Sequence, residues 1–150
     1  MAEIEFFKLE KAHLDELVEW HRDELIASRY GNIFWPESML GLCERRENRF
    51  CLVASLENKN VGYIDFEINE NDFEGWIGLV VNPIMRGSGY GTRILKQFTT
   101  TPVARKAREL RAGIELDNLA SIKCFENAGF EKISPEPDEE GCFVFAYKFS

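Results

Sequence analysis

The stretch of this 150-residue chain with the most chemical potential runs Gly78-Leu-Val-Val-Asn-Pro-Ile-Met-Arg86-Gly-Ser-Gly-Tyr-Gly91-Thr-Arg-Ile-Leu95. An apolar strand enters a turn holding three glycines. The turn opens directly into a helix with Ile94, Leu95 and Phe98 on one side. Glycines let a backbone approach a ligand closely and adopt positive φ, and amides at a helix start suit phosphate oxygens. The same residues also serve a plain strand-to-helix connection. A Walker loop needs a lysine after its glycines, and none follows here. A dinucleotide fingerprint needs G-x-G-x-x-G early in a repeated βαβ fold, whereas this chain has G-x-G-x-G late in its length.

A second element lies downstream: Asn118-Leu-Ala-Ser121-Ile-Lys-Cys-Phe125-Glu-Asn-Ala-Gly129-Phe130. Together, Val81-Asn-Pro83, Arg86-Gly-Ser-Gly89-Tyr-Gly91 and this helix resemble the two signatures of the GNAT superfamily of acetyl-CoA-dependent N-acetyltransferases. The resemblance implies an α+β fold: a mixed, mainly antiparallel sheet of about six to seven strands flanked by about four helices, all in one domain over residues 1–150. It also implies acetyl-CoA as acyl donor. Backbone groups of Leu79, Val80 and Val81 would hold the pantetheine arm and thioester. The pyrophosphate would sit on amides of Gly87, Ser88, Gly89, Tyr90, Gly91 and Thr92, beside Arg86. Arg93 and Lys96 would lie near the nucleotide or serve as solvated helix charges. Asn118 would bond the pantetheine arm, although asparagine is equally a favoured N-cap, and Phe125 would pack beside the same arm.

The catalytic pattern departs from the family at Phe125, where many relatives carry a tyrosine thought to protonate the departing thiolate. A thiol of pKa ~8.5 leaving near neutral pH is only ~1.5 units uphill, about 2 kcal/mol, so loss of the acid is survivable. Ser121, one helical turn earlier, or a water held there, is the candidate substitute. For the base, the family position falls on Trp76. Glu74 lies two residues earlier on the same strand face and is the candidate, with Asp65, Glu67 and Glu115 as competitors.

The elements that must position these residues can be read from periodicity. Ile4–Leu9 is a strand candidate, followed by one amphipathic helix through Leu14, Leu17, Val18, His21 and Leu25. Pro36 opens a helix through Met39, Leu42 and Cys43. Phe50–Leu56 and Val61–Ile68 form a hairpin, and Gly75–Val81 is the strand before the glycine turn. A strand at Leu110–Leu116, a helix at Asn118–Ala128 ended by Gly129, and strands at Phe130–Ile133 and Cys142–Phe149 complete the order.

Eighteen basic against 26 acidic residues give a net charge of −8. That excludes a general nucleic-acid binder, and it favours a cationic acceptor drawn to the acids Asp65, Glu67, Glu70, Asp72 and Glu74. No apolar run is long enough to span a bilayer, and no signal peptide is legible. Cys43, Cys51, Cys124 and Cys142 form no C-x-x-C pair, and His13 and His21 are not spaced with them as zinc ligands. The cysteines read as reduced thiols in a cytoplasmic protein, with no metal. Expected partners are a small-molecule amine or a peptide N-terminus, with a homodimer possible. Two further readings stand beside the enzyme: an acyl-CoA-binding module without catalysis, suggested by Phe125, and a dinucleotide-binding domain.

Overall fold

The computed structural model describes residues 2–150. Seven strands form one sheet: β1 Glu5–Lys8, β2 Arg49–Leu56, β3 Lys59–Ile68, β4 Glu74–Val81, β5 Glu109–Glu115, β6 Glu131–Lys132 and β7 Cys142–Lys148. Their order is β1-β2-β3-β4-β5-β7-β6. Every neighbouring pair is antiparallel except β4 with β5. The α+β architecture with a mainly antiparallel sheet therefore matches the expectation. The β2–β3 hairpin closes through Glu57 and Asn58, between the paired Leu56 and Lys59, and both turn residues adopt positive φ (51° and 66°). A two-residue turn of that hand fits the twist of the strands it joins.

Helices cover both faces: α1 Leu14–Trp20, α2 Glu24–Tyr30, α3 Trp35–Arg45, α4 Tyr90–Phe98 and α5 Leu119–Asn127. Strand alternation along β3 sends Ile64 and Phe66 to one face and Tyr63 to the other. Ile64 and Phe66 join Phe98 of α4, Phe125 of α5 and Phe145 of β7 in one apolar cluster. Tyr63 joins Leu17, Trp20, Ile26 and Met39 of α1–α3 in the second.

The single early helix expected through Leu25 is divided. Asp23 is extended (φ −65°, ψ 127°) and its side chain accepts from the Leu25 and Ile26 amides, starting a new helix. An N-cap of this kind satisfies amides that have no partner within the helix. The restart rotates the register, leaving Leu25 half exposed and placing Ile26 in the core at 4% exposure.

His21 sits at this break and is 1% exposed. Its Nδ1 lies 2.6 Å from the Gly31 carbonyl and its Nε2 lies 2.8 Å from the Tyr63 hydroxyl. A carbonyl can only accept, so Nδ1 carries the proton and Nε2 accepts from Tyr63. Burial holds the imidazole pKa below its ordinary value, opposed by the Gly31 carbonyl. The unfolded chain therefore binds this proton more readily, and the stabilisation is present above about pH 6.5 and lost as pH falls toward the depressed folded value. We expect the melting temperature to drop as pH is lowered from about 7.5 to about 5.5. That slope should flatten in His21→Asn, as measured by thermal denaturation across the range.

Candidate active site

The parallel pair β4–β5 is hydrogen-bonded only where Glu74, Gly75 and Trp76 face Glu109, Leu110 and Arg111. Beyond Trp76, β4 stays with β3 as far as Val81, while β5 stays with β7 as far as Glu115. The two strands therefore part, and a seam opens between them. Which β4 groups face it follows from one bond: the Asn82 amide donates to the Val61 carbonyl at 2.9 Å. Alternation then directs the backbone of Gly78 and Val80 to β3, and that of Ile77, Leu79 and Val81 into the seam. Leu79 and Val81 thus present free backbone donors and acceptors. Val80 does not, and its side chain is buried in the α1–α3 cluster.

The glycine turn closes one end of the seam, and its glycines serve two different needs. Gly87 and Gly89 have φ of 77° and 81°, and a Cβ at either would meet nothing within 4 Å. They are needed for left-handed backbone and leave open space above the amides. Gly91 is needed for packing, since a Cβ there would lie 2.8 Å from Cys124 Sγ, where α4 crosses α5. The 3-10 turn Pro83–Met85 leading in is held by Asn82, 4% exposed. Its side chain accepts from the Ile84 amide and donates to the Asn60 carbonyl.

A groove of about 430 Å³ follows the turn and is walled by α2, the end of β4, the start of α4 and one side of α5. Leu79, Val80, Val81, Arg86, Gly87, Gly89, Tyr90, Gly91, Thr92, Asn118 and Ser121 all border it. Of the residues expected there, Ser88 lies off the groove wall and Phe125 borders only the seam, a cleft of about 70 Å³. The phenylalanine is 2% exposed and packs edge-on against Phe130 with ring centres 5.0 Å apart. Arg29, Tyr30, Leu79, Asn118 and Ser121 border both groove and seam, marking their junction. The Asn118 side chain caps α5 by accepting from the Ser121 amide, so capping and groove exposure belong to the same residue.

Arg86 is not free for a ligand alone. It forms a two-pronged pair with Asp23, at 2.9 and 2.7 Å. The guanidinium holds the Asp23 carboxyl below the usual range despite partial desolvation, and the pair ties the start of α2 to the glycine turn. Arg93 points away, donating to the Ala2 carbonyl, and neither it nor Lys96 borders the groove.

Glu74 is not brought to the groove. It starts β4 at the paired end, about five residues, or roughly 17 Å of strand, from Leu79. There it bonds Arg111 at 3.1 Å and Arg108 at 3.4 Å, with Glu109 sharing both arginines. Two more acids of the acceptor cleft expected around it, Asp65 and Glu67, are also paired with arginines. Arg49 clasps Asp65 with two bonds of 2.8 Å, and Glu67 pairs with Arg46 and Arg49. A larger cavity of about 540 Å³ near Asn48 and Asn69 is open and lined by polar residues at that same end. The carboxylates near the seam are instead Glu115 and Asp117, which share Arg29 at 3.1 and 3.3 Å. Arg29 and Tyr30 escaped sequence reasoning because the periodic reading carried one helix past its break at Asp23.

A parted parallel pair beside a glycine turn that opens a helix defines an acyltransferase frame, and the comparisons agree. Residues 12–130 match the model of the GNAT acetyltransferase family. The chain is 32% identical to the uncharacterised N-acetyltransferase YfmK of Bacillus subtilis over 142 residues, covering 94% of this chain and 95% of that protein. It belongs to the GNAT acetyltransferase family. Among solved structures, the aminoglycoside acetyltransferase AAC(6')-Ib with coenzyme A superposes with TM-score 0.83 at 18% identity, covering 97% of this chain and 95% of that one. The Campylobacter jejuni N-acetyltransferase PseH with acetyl coenzyme A gives 0.70 at 16% identity, covering 98% and 99%. No helix among the described residues is long and apolar enough to cross a membrane.

The Asp23–Arg86 tie gives a direct prediction. Asp23→Ala removes the α2 cap and the arginine's partner together, so stability should fall by about 1–2 kcal/mol in urea denaturation. Arg86→Gln, which keeps the cap, should cost less, because that pair is partly exposed.

Proposed function

We propose that the protein moves the acetyl group of acetyl-CoA in one direct step to the primary amine of a small cationic molecule. The carrying observation is the open seam, which leaves the Leu79 and Val81 backbone unpaired beside the glycine turn. Those groups suit a pantetheine arm, and a β4 amide would meet the thioester oxygen as negative charge builds on it. Amides from Gly87 to Thr92 would replace water around the pyrophosphate, with Lys123 across the groove as the nearby cation. Arg86 serves by fixing the turn, and Asn118 by lining the arm's path. Phe125 packs beneath the arm without moving a proton.

The amine enters from the β5 side past Glu115 and Asp117. An ammonium must lose its proton before it attacks, and Glu115, the carboxylate that borders the seam, receives it directly or through water. The net charge of −8 and a related structure described with coenzyme A and kanamycin both support a cationic acceptor. A peptide N-terminus offers the same nucleophile and is the alternative acceptor.

Release of free CoA thiol should be followed over aminoglycosides, polyamines, amino acids and peptide N-termini. Small cationic amines should give the highest kcat/KM. Glu115→Gln should lower it about tenfold for the best amine and weaken its decline with salt. A chain that acetyl-CoA stabilises but from which none of these amines elicits thiol release would instead be a binding module.

The cofactor assignment is tested separately by Gly89→Glu, which places bulk and negative charge above the amides. This variant should remain folded yet lose the rise in melting temperature that acetyl-CoA confers on the parent. Retention of that rise would show that the phosphates lie elsewhere.

A further inference from the structure

We propose that Tyr30 is the general acid of this enzyme, its hydroxyl protonating the departing thiolate from α2 in place of a tyrosine on α5. The inference rests on the acetyl-transfer reading above and concerns a residue outside both sequence signatures. Tyr30 ends α2 and borders both the groove and the seam, at the junction where a thioester carried by the groove must meet an amine entering the seam. Phe125 also lines the seam, but its ring has no proton to give. Ser121 stands at the junction, yet an alcohol is a much weaker acid than a phenol of pKa ~10.

Tyr30, Asn118 and Ser121 border the same junction, and the polar side chains of Asn118 and Ser121 favour the ionised form of the hydroxyl. Burial acts more strongly in the other direction and holds the phenol protonated across the neutral range. The charged groups facing it are Arg29 on its own helix and Glu115 on β5, and these oppose one another. Tyr63 of β3 is the neighbouring phenol, engaged with His21. The backbone that carries Tyr30 is anchored on both sides. Asp23 and Arg86 fix the start of α2, and the Gly31 carbonyl just beyond its end accepts from His21.

The step balances without a further reactant. The neutral amine nitrogen forms a bond to the acetyl carbon, and the C–S bond breaks with its electron pair moving to sulfur. The Tyr30 O–H proton passes to that sulfur, giving CoA thiol. The proton lost from the amine nitrogen leaves to solvent through Glu115 or water, and solvent returns one to the phenolate.

Tyr30→Phe keeps the ring and removes only the acid. At neutral pH kcat should fall about 30-fold, the factor that corresponds to the ~1.5 units between a thiol pKa of ~8.5 and neutrality. Affinity for CoA, measured by calorimetry, should change less than about threefold. The deficit should narrow above pH ~8.5, where the thiolate leaves without help. Phe125→Tyr introduced into Tyr30→Phe should restore most of the lost rate. A second readout needs no acceptor: ultraviolet titration of the thiol of bound CoA. In the parent the hydroxyl's hydrogen bond should hold that thiol below its free value, and in Tyr30→Phe the thiol should titrate higher. A kcat within about twofold of the parent at neutral pH, or a bound thiol titrating alike in both proteins, would overturn the proposal. If the parent binds CoA but acetylates nothing, the acetyl-transfer reading fails instead, while the thiol titration still reports on Tyr30.

Discussion

The parting of β4 from β5 is the constraint on which the rest of the molecule depends. Two parallel strands held by only three residue pairs would ordinarily be a weak point in a sheet. Here the closed end is pinned by Glu74 and Glu109, which share Arg108 and Arg111, with Glu109 almost fully buried. Two carboxylates at such close quarters need the intervening guanidinium groups, and removing one cation would leave both sharing a single positive charge in a partly buried site. Gly75 supports the same end, since a Cβ there would collide with the Phe66 ring. Each strand then keeps its outer antiparallel partner, so the seam opens without unpairing the sheet elsewhere.

An opened seam is useful only if its walls are held, and α2 is held by polar contacts at both ends. Asp23 caps the helix and clasps Arg86 with the same carboxylate. At the other end, His21 bridges the Gly31 carbonyl to Tyr63 in the apolar layer between α1–α3 and the sheet. Buried hydrogen bonds of this kind contribute modestly when satisfied and are costly when broken, so they fix geometry more than they raise stability. The electrostatic layout follows from the same arrangement. Most acids near the paired end are neutralised by Arg49, Arg108 and Arg111, leaving Glu115 and Asp117 as the carboxylates beside the seam.

Much of this was legible in the linear chain wherever the determinant is local. The glycine turn, the helix starting near Gly89, the cap at Asn118 and the Gly129 terminator depend on a few adjacent residues, and each appears where the spacing puts it. Reading failed where a local signal was ambiguous. The apolar spacing from Leu14 to Leu25 fits one helix, but Asp23 is a strong cap in mid-pattern. Only the docking of Arg86, 63 residues away, adds a reason to stop there. Glu74 illustrates the opposite error: it lies on the right strand and face, but distance along the strand and arginine partners on the neighbouring segment remove it from the groove.

The sequence by itself determined the class of fold and the glycine turn that opens a helix, because these rest on short-range backbone needs and periodic burial, and its two motifs pointed to the family. Only the tertiary structure decided which backbone groups of β4 are free. That choice depends on the register with β3 and on the point where β5 leaves, neither of which is written in the residues of β4. It likewise decided that Tyr30 stands beside Ser121 and Asn118, about 90 residues distant along the chain. Helix packing across the sheet brings such groups together, and no spacing rule within one segment anticipates it.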